Sequence, residues 1–177
     1  MSGKISWLHP APFSHAVESD DGWVYITGQM PTSKDTDVDG LPVGIEAQTV
    51  NVMENLKLII ADLGLTLDDV VYTRVFLQHF QGDYDKFNNL YAKYFEGGNL
   101  PGRTCIGTSG LAQDALVEID FVMRRDSTTT KYIDMSSKIS WLHPAPFSHA
   151  VESADGWVYI TGQMCLLAKT LMLMVFR

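Results

Sequence analysis

Residues 68–95 read DDVVYTRVFLQHFQGDYDKFNNLYAKYF, and the fold class follows from this stretch. Val70 to Leu77 is dense in β-branched and aromatic residues, which suit a pleated, half-buried surface, so it reads as a strand. Tyr84, Phe87, Leu90, Tyr91, Tyr94 and Phe95 then recur at helical spacing and mark an amphipathic helix that Gly97-Gly98 ends. Working upstream, Val52, Met53, Leu56, Ile59, Ile60 and Leu63 repeat the helical spacing from about Ile45, with Gly64 as the stop. Earlier still, 15–19 and 23–27 flank Asp20-Asp21-Gly22, a hairpin in which Gly22 takes a left-handed turn position. Gly28 is expected to end the second of these strands, ahead of an acidic, turn-rich loop over 31–42. Downstream, strands fit 103–108 and 115–123, the second with Val117, Ile119, Phe121 and Met123 on one face and Glu118 and Asp120 on the other. The order β-β-α-β-α-β-β predicts an α+β fold, a single mixed β-sheet with two helices packed on one face. The opposite face must meet solvent or another subunit.

Composition narrows the function classes. The 177 residues are 46% hydrophobic and 19% charged, as in soluble globular proteins. A net charge of −8 argues against a binder that tracks nucleic-acid phosphates, so no nucleic-acid partner is expected. Cys105 and Cys165 make neither a disulfide framework nor a zinc site of CxxC type. The opening MSGKISWLHPAPF lacks the apolar core of a signal peptide, and a cytoplasmic location is the expectation. The five histidines have no metal-ligand spacing, and neither a Gly-rich phosphate loop nor a GxSxG motif is present.

The chain repeats its own beginning. Residues 135–164 match residues 1–30 except at two positions, Gly3 against Ser137 and Asp20 against Ala154. After Met164 the likeness stops, and the apolar CLLAKTLMLMVFR completes the chain. That run is shorter than the roughly 18 residues a membrane-spanning helix needs, so no membrane partner is expected. Charge separates the parts: residues 1–134 carry −9 and residues 135–177 carry +1. We therefore read 1–125 as the domain, 126–134 as a polar linker, 135–164 as a partial duplicate and 165–177 as a non-functional tail. The duplicate has the pairing preferences of the first hairpin and could compete for its place in the sheet. Otherwise it is expected to be loosely packed, with its tail an aggregation liability.

Three residues carry chemical interest on their own. Arg103 follows a Pro101-Gly102 turn, and its fork could hold a carboxylate by two parallel hydrogen bonds, or it could be a surface arginine. Glu118 could have a raised pKa and act as acid or base, although carboxylates on a solvent-facing strand are ordinary. Cys105 has no histidine near it in sequence to activate it, which favours a small residue lining a pocket.

Pro101-Gly102-Arg103-Thr104-Cys105 followed by Val117-Glu118-Ile119 resembles the signature of the Rid/YjgF reactive-intermediate deaminases. Residues 12–17 (PFSHAV), 26–31 (ITGQMP) and 83–88 (DYDKFN) extend the resemblance in the family's order and spacing, over about residues 5–125. The resemblance implies a chorismate-mutase-like fold, a homotrimer with active sites in clefts between subunits, and no cofactor or metal. It implies hydrolysis of enamines and imines such as 2-aminoacrylate or 2-iminopropanoate to 2-oxo acids and ammonia. It also implies roles: Arg103 and Glu118 catalytic, Arg103 clamping the substrate carboxylate, and Phe13, Gly28, Asn88 and Cys105 lining or supporting the pocket. Phe13 stands where the best-known deaminases have a tyrosine, so a substrate-contacting hydroxyl is missing. That departure keeps two further readings open, a deaminase of a larger aminomuconate-like enamine and a non-catalytic regulatory trimer that binds small carboxylates. Ribonuclease activity or inhibition of translation, also associated with the family, is disfavoured by the −9 charge of residues 1–134.

Overall fold

The computed structural model describes residues 12–33, 40–138 and 145–163. Its domain follows the expected order: β1 (Ala16–Glu18), β2 (Trp23–Gln29), α1 (Gly44–Asp62), β3 (Val70–Leu77), α2 (Phe80–Tyr94), β4 (Gly102–Gly107) and β5 (Val117–Arg124). The sheet order is β1-β2-β5-β3-β4, antiparallel throughout except for the parallel pair β3/β4. The sheet is therefore mixed, and both helices cover one face. From α1, Val52, Met53, Leu56, Ile59 and Ile60 are buried; from α2, Phe87 and Tyr91. They meet Val24 and Ile26 of β2 and the alternate residues Val117, Ile119, Phe121 and Met123 of β5 in one core cluster whose buried members all lie within 16–123. At roughly 1.5–3 kcal/mol for each large apolar side chain removed from water, this core accounts for the domain's cohesion.

Local signals operate as read. Gly22 and Gly64 have φ of 85° and 70°, the left-handed conformation a turn and a helix stop require. Thr66 and Asp69 cap each other at the entry to β3. β2 does not stop at Gly28: it continues to Gln29 through a register shift between Ile26 and Gln29, a bulge that keeps the strand paired with β5 while displacing its backbone.

The duplicate departs from expectation. It neither displaces β1–β2 nor lies loose. The segment read as a linker contains β6 (Lys131–Ile133), which pairs with β7 (Ala150–Glu152) and through it with β8 (Val158–Ile160) in a second sheet. That sheet packs on the helix-free face of the first, where Trp23, Val71 and Val151 bury one another beside Val122, Tyr132 and Tyr159. Apolar residues already exposed on that face supply the driving force, which a reading of the duplicate by itself could not weigh. The apolar tail lies outside the described residues. Among the described residues no helix is long and apolar enough to cross a membrane.

Candidate active site

Arg103 is the second residue of β4, delivered there by the Pro101-Gly102 turn, and it is 2% exposed. Its guanidinium carbon lies 5.0 Å from the Tyr91 ring centre and 5.7 Å from that of Phe87, both on α2. A third ring, Phe147 of the duplicate, closes the cage at 5.0 Å. Nη1 and Nη2 are buried with no hydrogen-bond partner. Ring faces attract a cation by about 0.5–2 kcal/mol each, less than a buried charge loses by desolvation. The rings alone do not offset that loss, and the planar fork of a guanidinium has the geometry to hold a carboxylate.

Cys105 follows on the same side of β4 and packs against the core. Burial pushes its thiol up to about 11, with Arg103 opposing, so at neutral pH it is a thiol and not a nucleophilic thiolate. Asn88 sits beside Phe87 on α2, and its Oδ1 is buried without a partner. Arg103, Cys105 and Asn88 thus belong to the helix side of the β4 edge.

Glu118 lies elsewhere. It projects from the helix-free face into an open cleft of about 360 Å³ lined by Phe13, Gly28, Gln29, Met30 and Gln113 among others. Its carboxyl rests against the backbone of Gly28 so closely that a Cβ there would stand 2.0 Å from Oε1. Glycine at 28 therefore answers to close approach, and the bulge of β2 provides it. Burial first, and then the Asp120 carboxylate, hold the Glu118 pKa above its ordinary value. Asp120 itself is paired with Arg74 through bonds of 3.0 and 2.9 Å, whereas no cation pairs with Glu118 among the described residues. Phe13 is exposed and stacks edge-on against His15 at 5.9 Å.

The six residues picked out from sequence thus fall into two separate groups, Arg103, Cys105 and Asn88 in one and Phe13, Gly28 and Glu118 in the other. Within one chain the structure does not bring Arg103 and Glu118 together. Reading the sequence missed the cage rings Phe87, Tyr91 and Phe147 and the duplicate's Thr161 and Gly162. Thr161 accepts the Arg103 backbone N–H at 3.0 Å, and Gly162 donates to the Arg103 carbonyl at 3.0 Å. One signal was available: within 146–163 the duplicate preserves every residue of the first hairpin except Asp20, which is Ala154. Among the described residues no group of three His, Cys, Asp or Glu side chains is arranged to hold a metal.

The sheet order and helix placement define the class, an α+β protein with two helices on one face of a mixed sheet and a caged arginine at the sheet edge. The family model described as endoribonuclease L-PSP matches residues 7–124. The chain is 35% identical over 114 residues to a RutC family protein of Saccharolobus solfataricus, covering 64% of this chain and 87% of that one. A Rid family protein of Yersinia pestis has a similar structure, with a TM-score of 0.61 and 33% identity over 66% of this chain and 90% of that one. The YjgF structure of E. coli shares the fold, with a TM-score of 0.60 and 24% identity over 66% of this chain and 91% of that one. The chain belongs to the endoribonuclease L-PSP family, the Rid/YjgF proteins. The family match ends at 124, before the duplicate.

Proposed function

We propose that the domain hydrolyses reactive enamine and imine intermediates of the 2-aminoacrylate/2-iminopropanoate type to 2-oxo acids and ammonia, as a homotrimer with sites between subunits. The observation that carries this reading is the buried, unpartnered Arg103 guanidinium at the family's motif position. Its two Nη groups hold the substrate carboxylate and fix the adjacent imine carbon. Glu118 of a second chain takes a proton from water as the water oxygen adds to that carbon, and passes it to the imine nitrogen, which gives a neutral carbinolamine. The carbinolamine then collapses: Glu118 takes the hydroxyl proton and delivers it to the amino nitrogen as the C–N bond breaks, ammonia leaves and the 2-oxo acid remains. Water and imine in, ammonia and oxo acid out, with no redox step and no cofactor. The raised Glu118 pKa supports a group that exchanges protons near neutrality better than an ordinary surface glutamate does.

The test is ammonia release from freshly generated 2-iminopropanoate, run on the full chain and on a chain ending at Asp134, each with its Arg103→Ala variant. Acceleration by at least one form, lost on Arg103→Ala, supports the reading. Failure of both forms, or equal rates with and without Arg103, overturns it. Phe13 favours a second reading for the cleft. Without a hydroxyl it presents an apolar wall beside Met30, which suits a larger aminodienoate, and the same assay with that substrate class decides between them.

A further inference from the structure

Residues 12–29 and 146–163 differ only at Asp20/Ala154, in the exposed turn, yet the two hairpins bury opposite faces. In the first, Val24 and Ile26 enter the helix-covered core while Phe13, Val17 and Tyr25 are exposed. In the second, Val158 and Ile160, the counterparts of Val24 and Ile26, are exposed, and the counterpart of Val17 is buried. Val17 is 56% exposed and Val151 0%; Ile26 is 3% exposed and Ile160 66%. The duplicate is therefore docked through the face that the first hairpin leaves free.

The docking is specific. Asp155 accepts from Trp23 Nε1 at 3.0 Å and from Arg124 at 2.9 Å. Tyr159 stacks on Trp23 and Tyr72 at 5.4 and 5.6 Å. Ser148 donates its backbone N–H to Pro101 at 3.0 Å, and Thr161 and Gly162 clamp the Arg103 backbone. Every one of these duplicate residues has an identical counterpart in the first hairpin: Ser14, Asp21, Tyr25, Thr27 and Gly28. A surface that accepts the duplicate accepts the same residues from another chain.

We propose that residues 145–163 are an intramolecular stand-in for the first hairpin of a second copy of this chain, and that they block self-assembly by filling its docking surface. A contact between one face of a chain and a different face of the next is heterologous, and it propagates only if each chain both offers and accepts. With the duplicate docked, the chain still offers its first hairpin but has no vacant acceptor. A short tether gives the duplicate an effective concentration on the order of millimolar, so it outcompetes a free chain.

The stand-in is also chemically incomplete. Gly162 approaches β4 so closely that a Cβ would meet Thr104 Oγ1 at 2.9 Å. Its counterpart Gly28 carries Glu118 against its backbone. Seating Gly28 of a second chain where Gly162 sits brings that chain's Glu118 to the caged Arg103. The duplicate brings Phe147 in place of Phe13 and no counterpart of Glu118. The two groups of residues unite only between chains, a consequence for activity that rests on the function proposed above; the effect on assembly does not.

The experiment is mass by sedimentation at equal concentration for four proteins: the full chain, its Val151→Asp variant, the chain ending at Asp134, and that shorter chain with Val17→Asp. The shorter chain retains the complete 16–123 core and the whole of the matched region, and is expected to fold on its own, which its near-UV spectrum checks. The full chain is expected at the mass of one chain. The shorter chain and Val151→Asp are expected at a common multiple, with the shorter Val17→Asp protein back at the mass of one. Equal mass for the full and shorter chains, or a Val151→Asp protein that stays at the mass of one while its near-UV spectrum is native, overturns the proposal. Because mass is read without substrate, a failed deaminase assay leaves this result standing, and the reverse holds too.

Discussion

Arg103 and Glu118 project from opposite faces of one sheet. Arg103 pairs with Thr73, which pairs with Phe121, so all three face the helices. Glu118 pairs with Phe76, which pairs with Ile106, so these face the other way. One strand, β3, separates the two, and no side-chain rotation carries either group through the sheet.

Removing Arg103 is expected to abolish activity while sparing stability. The guanidinium is buried without an anion, so Arg103→Leu relieves a desolvated charge and is expected to leave stability unchanged or raise it by about 1–3 kcal/mol. Activity falls by about 100-fold or more, because a carboxylate clamp is lost. Arg103→Lys is expected to be nearly as damaging, since an ammonium lacks the planar fork. Thermal unfolding and ammonia release on the same preparations check both halves; a large loss of stability in Arg103→Leu would refute the account of the cage.

Gly28→Ala should act through Glu118. A methyl group 2.0 Å from Oε1 forces the carboxyl aside, and the flexible end of a glutamate can yield. The expected result is an activity loss comparable to that of Glu118→Gln, with little loss of stability. In a double-mutant cycle the two should be strongly non-additive. Additive losses would mean that Gly28 serves something other than the carboxyl.

The Glu118 carboxyl sets a pH dependence of known sign. Its folded pKa is raised, so the neutral form is favoured in the folded state. The contribution to stability is fully present below the unfolded value of about 4.3 and is lost as pH rises through the folded pKa. Glu118→Gln, which is neutral throughout, should match wild type in acid and exceed it increasingly toward pH 7. Melting curves across that range decide the matter, and a gap that narrows with rising pH is the wrong sign.

Cys105 is expected to be sluggish toward alkylating reagents. With its pKa pushed up to about 11, the thiolate fraction at neutral pH is about 100-fold below that of a free cysteine. In a Cys165→Ser background, iodoacetamide labelling of the folded chain at pH 7.5 should be slow and should quicken on unfolding. Fast labelling of the native protein would show that the thiol is activated.

Much of this was legible in the chain itself. Val70–Leu77 reads as a strand because β-branched and aromatic residues crowd it, and the structure has a strand with those bounds. The helix over 44–62 follows from Val52, Met53, Leu56, Ile59 and Ile60, whose spacing admits no strand. Local propensity and periodicity act over a few residues, and Gly22 and Gly64 are turn positions by their own backbone freedom. The Arg103 cage was not legible: Phe87 and Tyr91 read as ordinary apolar positions of α2, and Phe147 lies 44 residues away in a repeat with no visible purpose.

The sequence by itself determined the elements, their order, the family motif and the identity of the two hairpins. These depend on local composition and on counting. The tertiary structure alone decided which face each charged group occupies and what the duplicate touches. Alternation along a strand says that Glu118 opposes Val117 and Ile119, but not how β5 is aligned with β3 or β3 with β4. That alignment depends on long-range pairing and on the bulges at Ile26–Gln29 and Val70–Tyr72, where one residue changes the parity of a face. The duplicate's docking is decided likewise: identical residues serve two opposite surroundings, because burial belongs to the assembled surface and not to the segment.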